Sequence, residues 1–428
     1  MKGGIRIGTI FNIPLFIDPS WFLIVMLMTW VYRADYVRLS PNLSWLFGLL
    51  TALLLFASVL LHELGHSLTA KSQDIAVNSI TLFLFGGVAS IEKESKDPWA
   101  AFRVAIAGPL VSLALGFLLW GTALALVGEN IAVVTSFLRP TATANTATQL
   151  VNEVGITRAL VGSMAVNLSV LNFILGIFNL IPCLPLDGGQ VLKAVVWKIT
   201  GSRSTGIRWA AFSGQVIGLS AVLSGAIVLL QPNGFLEGLW RILLGGFVMS
   251  HAGNYLRMTN LQEALKEITA ETTMTRDFRI VDANMSLRQF ADEFLLLREK
   301  EIEPVYYASS DGRDRGMVLP TDFRYIERSQ WETKTLNDIA KPLKDLESVE
   351  LKAKIGEVIQ LLESKQIKQV TVFSPVGSVA GVIDRGDVIR ALARKMRWPI
   401  PEAYIQQVKA EGKFPPDFRL VELVEQSS

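Results

Sequence analysis

The sequence predicts a polytopic α-helical membrane protein of about six transmembrane helices with a sheltered β-hairpin, followed by a polar α/β part. Mean hydropathy is +0.37 over 428 residues, half of them hydrophobic, which is too apolar for a soluble enzyme. Charge is unevenly spread: residues 1–260 hold 16 of the 41 Lys/Arg and 11 of the 39 Asp/Glu. Apolar runs of spanning length are confined to that first part, and about one domain's length of polar sequence comes after it. A net charge of +2 argues neither for nor against nucleic acid, and none is expected as a partner. A single cysteine, Cys183, excludes an intrachain disulfide. Met1–Arg6 is basic, but Pro14 and Pro19 interrupt the next segment, unlike a cleavable signal.

Ile5–Asp18 alternates β-branched residues with others and reads as extended. Spans are expected at about Trp21–Tyr32 and Trp45–Ala70. Val77–Glu92 holds two short β-rich runs around Gly86-Gly87, a hairpin signal. Open strand edges do not face lipid, so this hairpin must be sheltered by protein or lie near the surface. A third span covers about Phe102–Val127 and opens with Gly108-Pro109, and Glu129–Thr157 is a Thr-rich loop. Val161–Ile199 is too long for one span and is broken at IPCLPLDGG by Pro182, Pro185, Gly188 and Gly189. Broken backbone at membrane depth implies a cavity or site. Spans at about Trp209–Leu230 and Phe235–Ser250 complete six.

Six spans put both termini on one side. Eleven Lys/Arg fall on that side, including Lys71, Lys93 and Lys198, against five on the other, so cytoplasmic termini are expected. The chain is therefore read as an integral multi-pass protein of the cell's inner or plasma membrane, in contact with the lipid bilayer.

His62, Glu63 and His66 form the pattern HELGH inside the run TALLLFASVLLHELGHSLTA. Each ionisable group at membrane depth costs about 2.5–3.5 kcal/mol on insertion scales, and such groups are usually functional. HExxH also occurs in soluble helices as a plain polar face. Here two histidines and a glutamate without a metal would be uncompensated buried polar groups. Positions i and i+4 share a helix face, so His62 and His66 can reach one Zn²⁺, with Glu63 leaning toward a water on it. A catalytic zinc takes three protein ligands and keeps one position open. Asp187 in PLDGG is the best third; as a turn aspartate it would be ordinary, but between two apolar half-helices a carboxylate wants a cation. Cys183 reads as a small core residue and His251 as structural, with metal ligation the rival reading for each.

HELGH paired with Asn179-Leu-Ile-Pro-Cys-Leu-Pro-Leu-Asp187-Gly188 resembles site-2 protease-type intramembrane metalloproteases, which pair HExxH with N-x-x-P-x-x-x-x-D-G. The hairpin around Phe85-Gly86-Gly87 and the Gly108-Pro109 pair are similar too, and the likeness spans about residues 1–255. The resemblance implies that His62, His66 and Asp187 hold one zinc per chain. It implies that Glu63 is the general base and that Asn179 donates to the oxyanion. It also implies that Phe85, Gly86, Gly87 and Val88 offer a strand edge to an extended substrate. Asn167 and Asn172 are read as interhelical hydrogen-bonding residues, the competing role for Asn179.

The polar part contains an internal repeat. Each half reads as a short extended start, an amphipathic helix, a β run, a turn, a second β run and a helix opening at Asp. Gly316 and Asp322 recur as Gly381 and Asp387 at the same separation. This resembles a cytoplasmic tandem pair of cystathionine-β-synthase (CBS) domains, in which such an aspartate often meets a nucleotide ribose. The resemblance implies an adenine nucleotide at Asp322 and Asp387, and a homodimer through the pair. Leu319 and Asp384 stand where that family commonly has Ser/Thr, so an N-cap role for the aspartates stays open.

The expected organisation is a metalloprotease domain at 1–255, a CBS pair at 262–396 and a tail at 397–428. The expected function is a zinc endopeptidase that cuts a membrane-embedded substrate, of single-span type, regulated by or docked through the CBS pair. The alternative is a CBS-gated ion transporter or channel that uses the His/Glu motif. That reading expects internal symmetry among the spans, and the sequence has one HExxH and one broken segment.

Overall fold

The computed structural model describes residues 4–84, 86–91, 95, 97–136, 144–295 and 305–414. The chain forms two compact units, Met1–Leu256 and Arg257–Ser428.

The first unit opens with a hairpin. β1 (Ile5–Ile10) pairs antiparallel with β2 (Ile13–Ile17), and Ile10 faces Ile13. The turn residues Phe11 and Asn12 have φ of 50° and 60°. That is the positive-φ turn whose twist suits two-residue hairpins. The sequence signalled extension but not this reversal, because neither turn residue is glycine. Every second residue of β2 is buried, and Ile13 and Leu15 pack on Leu64 and Ile80.

α1 (Ser20–Tyr36) and α2 (Ser44–Lys71) come next, then β3 (Val77–Phe83) and β4 (Gly86–Ile91). The sheet order is β1-β2-β3-β4, with β2 and β3 parallel and β3 and β4 antiparallel. β4 is thus an edge strand.

α3 (Pro98–Val127) starts before Gly108-Pro109, which lies well inside it. Asp97 supplies the start: its carboxylate accepts from Ala100 N–H at 2.9 Å, and Pro98 takes the first turn. The expected Thr-rich loop contains α4 (Ile131–Ser136) and α5 (Ala144–Val154). Val134, Ala147 and Leu150 are buried with Tyr36 and Leu160. Helical spacing of a few apolar residues was masked by the threonines around them.

α6 (Ile156–Asn179) ends at the predicted break, and α7 (Asp187–Thr200) begins with Asp187 as its first residue. Cβ atoms on Gly188 and Gly189 would come within 2.4 Å of the backbone of Leu180, Ile181, Cys183 and Leu184. Only glycine lets this turn fold so tightly, and the fold aims Asp187 back at α2. α8 (Arg203–Leu229) and α9 (Phe235–Glu267) complete the helices.

Four stretches, Ser44–Lys71, Pro98–Thr135, Ile156–Asn179 and Arg203–Leu229, are long and apolar enough to cross a membrane. The two other expected spans are helical but differ. α1 has 17 residues, and α9 carries Glu237 and Arg241 in its first turns. Asn172 Nδ2 donates to Ser58 Oγ at 3.0 Å, and Asn167 Nδ2 to Asp35 Oδ2 at 3.2 Å, so both asparagines cross-link helices.

The second unit has the expected repeat. After α10 (Ala270–Thr273), the first half runs β5 (Phe278–Asp282), α11 (Leu287–Phe290), β6 (Val305–Ser310) and β7 (Arg313–Val318). Here the helix expected at Asp322 is a short 3-10 turn, Pro320–Tyr325. α12 (Leu336–Ile339) and the two-residue β8 (Lys341–Pro342) close this half. The second runs β9 (Ser348–Glu350), α13 (Ile355–Ser364), β10 (Gln369–Phe373), β11 (Val379–Asp384) and α14 (Arg385–Met396). In both halves the first strand pairs parallel with the second and the second antiparallel with the third. Tyr307 of β6 meets Thr371 of β10 at 2.8 Å, where the two halves pack together. α15 (Glu402–Glu411) lies within the tail that the sequence left unassigned.

Candidate metal centre

α2 presents His62 and His66 on one face, and the α6–α7 break supplies Asp187. Their ligand atoms converge. His62 Nε2 lies 3.0 Å from Asp187 Oδ2, His66 Nε2 lies 3.2 Å from it, and the two Nε2 atoms are 3.2 Å apart. Among the described residues this is a group of three that could hold a metal ion. A tetrahedral zinc with bonds of about 2.0–2.1 Å would set its ligand atoms about 3.4 Å apart, so the triangle fits zinc with a small expansion. Both histidines are buried, whereas the Asp187 side chain keeps 23 % exposure, which leaves one side of the site accessible.

α3 holds the imidazoles from behind. His66 Nδ1 lies 2.7 Å from Val104 O. A carbonyl has no proton, so His66 donates through Nδ1–H and its Nε2 carries a lone pair. His62 Nδ1 lies 2.9 Å from Ser112 Oγ. Between these two partners is Gly108, where a Cβ would fall 2.2 Å from His66 Nε2 and 2.7 Å from His62 Nε2. The imidazole tips occupy the space that any other side chain would need.

Glu63 is half-buried on the neighbouring flank of α2, against β4. The β4 backbone packs closely on it: a Cβ on Gly87 would lie 2.6 Å from Glu63 Cγ and 3.4 Å from Oε1. Gly86 and Val88 lie on the same edge strand, and Val88 is exposed. Phe85 lies outside the described residues. Asn179 ends α6, and its Nδ2 donates to Leu175 O at 3.0 Å, which commits one of its two N–H bonds. Cys183 is buried and free, as a core residue would be.

Asp322 and Asp387 are elsewhere, in the second unit. Asp322 is half-buried in the 3-10 turn, where its backbone N–H donates to Leu319 O. Asp387 is 1 % exposed and forms a capping box with Asp384 at the start of α14. Lys409 of α15 bridges Asp387 and Asp384 at 2.7 and 3.0 Å.

Sequence reasoning missed Val104 and Ser112, and treated Gly108 only as a helix start. One signal was present. Gly108, Ser112 and Gly116 recur every fourth residue, the small-residue spacing that lets membrane helices approach closely.

Residues 50–223 match Peptidase family M50. A zinc metalloprotease homologue from Synechocystis sp. is 38% identical over 92% of this chain and 96% of its own length. Among solved structures, the site-2 protease from Methanocaldococcus jannaschii is 27% identical. Its overlap covers 59% of this chain and 95% of that one, with a TM-score of 0.38. The CBS domain of a bacterial CNNM/CorC family Mg²⁺ transporter in complex with ATP is 18% identical. It covers 32% of this chain and 94% of that one, with a TM-score of 0.26. The chain belongs to peptidase family M50, the site-2 protease type of zinc metalloprotease. It is an integral membrane zinc endopeptidase that cleaves a protein substrate within the bilayer, and this membership disfavours the ion-transporter alternative.

Proposed function

We propose that His62, His66 and Asp187 hold one zinc per chain and that Glu63 is the general base for hydrolysis of a single-span membrane protein. The observation that carries this reading is the 3.0–3.2 Å triangle of Nε2, Nε2 and Oδ2, drawn from segments more than 100 residues apart. Bound there, zinc supplies Lewis-acid activation of water and of the scissile carbonyl. Glu63 takes the proton of the attacking water on its carboxylate and passes it to the leaving amine. The second N–H bond of Asn179 donates to the developing oxyanion. The edge of β4, at Gly86–Val88, pairs with a substrate segment that has unwound. A helix hides its scissile carbonyl in its own hydrogen bonds, so unwinding must precede attack.

The remaining features bear on regulation and placement. The excess of Lys/Arg on one side supports cytoplasmic termini in the cell's inner or plasma membrane. The repeat in the second unit supports a regulatory or docking role, with an adenine nucleotide near Asp322 or Asp387 as effector and a dimer as its assembly. Asp387 already carries Lys409, so a ribose there competes with an ion pair.

The test is co-expression with candidate single-span proteins, comparing the native chain with Glu63→Gln. Cleavage should fall about 10²–10⁴-fold, while zinc content is unchanged. His66→Ala and Asp187→Ala should each lose most of the zinc. Full zinc retention in Asp187→Ala would move the third ligand elsewhere.

A further inference from the structure

α3 contributes no expected metal ligand, yet three successive turns of it face the imidazoles. Val104 O, the Cβ-free surface of Gly108 and Ser112 Oγ recur at intervals of four residues, one stripe of the helix. Their partners His66 and His62 run the other way along α2, also four apart. The two supports differ chemically. Val104 O can only accept, so His66 is confined to the tautomer with a free Nε2. Ser112 Oγ can accept from His62 Nδ1–H or donate to a bare Nδ1. In the second case the proton sits on Nε2, which then donates to Asp187 Oδ2 at 3.0 Å.

We propose that Ser112 is a positioning residue of the metal centre: its hydroxyl accepts from His62 Nδ1–H, turning the ring and freeing Nε2 for zinc. The inference rests on the assignment of His62 as a ligand. Both groups are buried, Ser112 fully and His62 to 4 % exposure, so no solvent replaces the hydroxyl if it is removed. Without it the Nδ1–H would be an unpaired buried donor, and the competing tautomer would be favoured through Asp187. Loss of such an outer partner typically weakens metal binding about 10–100-fold.

Ser112→Ala removes one oxygen and leaves no large cavity. The control is Ser169→Ala. Ser169 is equally buried and donates to Gly116 O at 2.7 Å, so it links α6 to the same helix without touching an imidazole. Zinc affinity of the full-length protein would be measured by chelator competition, and the visible spectrum recorded after Co²⁺ replacement. Ser112→Ala should weaken zinc about 10–100-fold and shift the cobalt bands, while Ser169→Ala leaves both unchanged. Native affinity in Ser112→Ala would overturn the inference, and so would an equal loss in Ser169→Ala. His62→Ala is run in parallel. If it keeps its zinc, the ligand assignment itself fails; if it loses zinc while Ser112→Ala does not, only the role of Ser112 fails.

Discussion

Gly87, on the edge strand of the four-stranded sheet, packs its backbone against the Glu63 side chain with no Cβ between them. The proposed general base and the strand proposed to receive substrate are therefore coupled by one close contact. Substrate that seats along β4, as proposed, would arrive beside Glu63.

Gly87→Ala tests that coupling. A Cβ at this position would lie 2.6 Å from Glu63 Cγ, so the carboxylate must retreat. Misplacement of a reacting group by about 1 Å can cost on the order of 10²-fold in rate. Cleavage should fall by that order while zinc content stays native. A native rate would mean that Glu63 shifts freely and that β4 does not fix it.

Gly108→Ala should act on the metal instead. Its Cβ would stand 2.2 Å from His66 Nε2 and 2.7 Å from His62 Nε2, both the proposed donor atoms. The flexible end of a side chain could yield, but these rings are pinned at Nδ1 by Val104 and Ser112. The purified variant should retain its helical circular dichroism and lose most of its zinc. Stoichiometric zinc would show that α2 and α3 can separate without disturbing the site.

The sequence exposed the proposed site residues because they are costly where they stand. His62, Glu63 and His66 break an apolar run, and Asp187 sits where prolines break a helix. Their supports were not legible for the opposite reason. A serine in a membrane helix is ordinary, and the carbonyl of Val104 is a group every residue has. α4 and α5 were hidden by threonines, and the turn at Phe11-Asn12 by the absence of glycine. In the second unit the repeat was legible from its periodicity. The partner of Asp387 was not, because Lys409 comes from the tail beyond it.

Asn172→Leu should prove mild. Asn172 is fully buried and donates to Ser58 Oγ, one turn from His62, but its Oδ1 has no partner. Interhelical hydrogen bonds in membranes average about 0.6 kcal/mol and reach about 1.7. Leucine also removes the unpaired acceptor, which offsets part of the loss. Denaturation in mixed micelles should show a change below about 1 kcal/mol with zinc retained. A loss of several times that size would mean that Ser58 and Asn172 set the register of the metal-binding helices.

Lys409→Met should be the most pH-sensitive change in the second unit. Burial, and then the nearby charge of Asp384, push the Asp387 carboxyl above its ordinary range, while Lys409 pulls it back. Breaking a buried pair typically costs about 3–5 kcal/mol, and Arg390 still reaches Asp387 at 3.0 Å, so the lower end is expected. A carboxyl whose folded pKa is raised binds more protons when folded than when unfolded. Between the two values its contribution to stability therefore falls as pH rises. Removing Lys409 raises the folded value further and widens that window. The damage should be largest at neutral pH and shrink on acidification, as Asp387 takes up a proton. Hydrogen exchange of the α14 and α15 amides in the full-length protein, tracked from pH 7 downward with correction for intrinsic rates, reads this directly. Equal loss of protection at every pH would mean that Lys409 acts through its packed methylene stem against Gly386 and not through its charge.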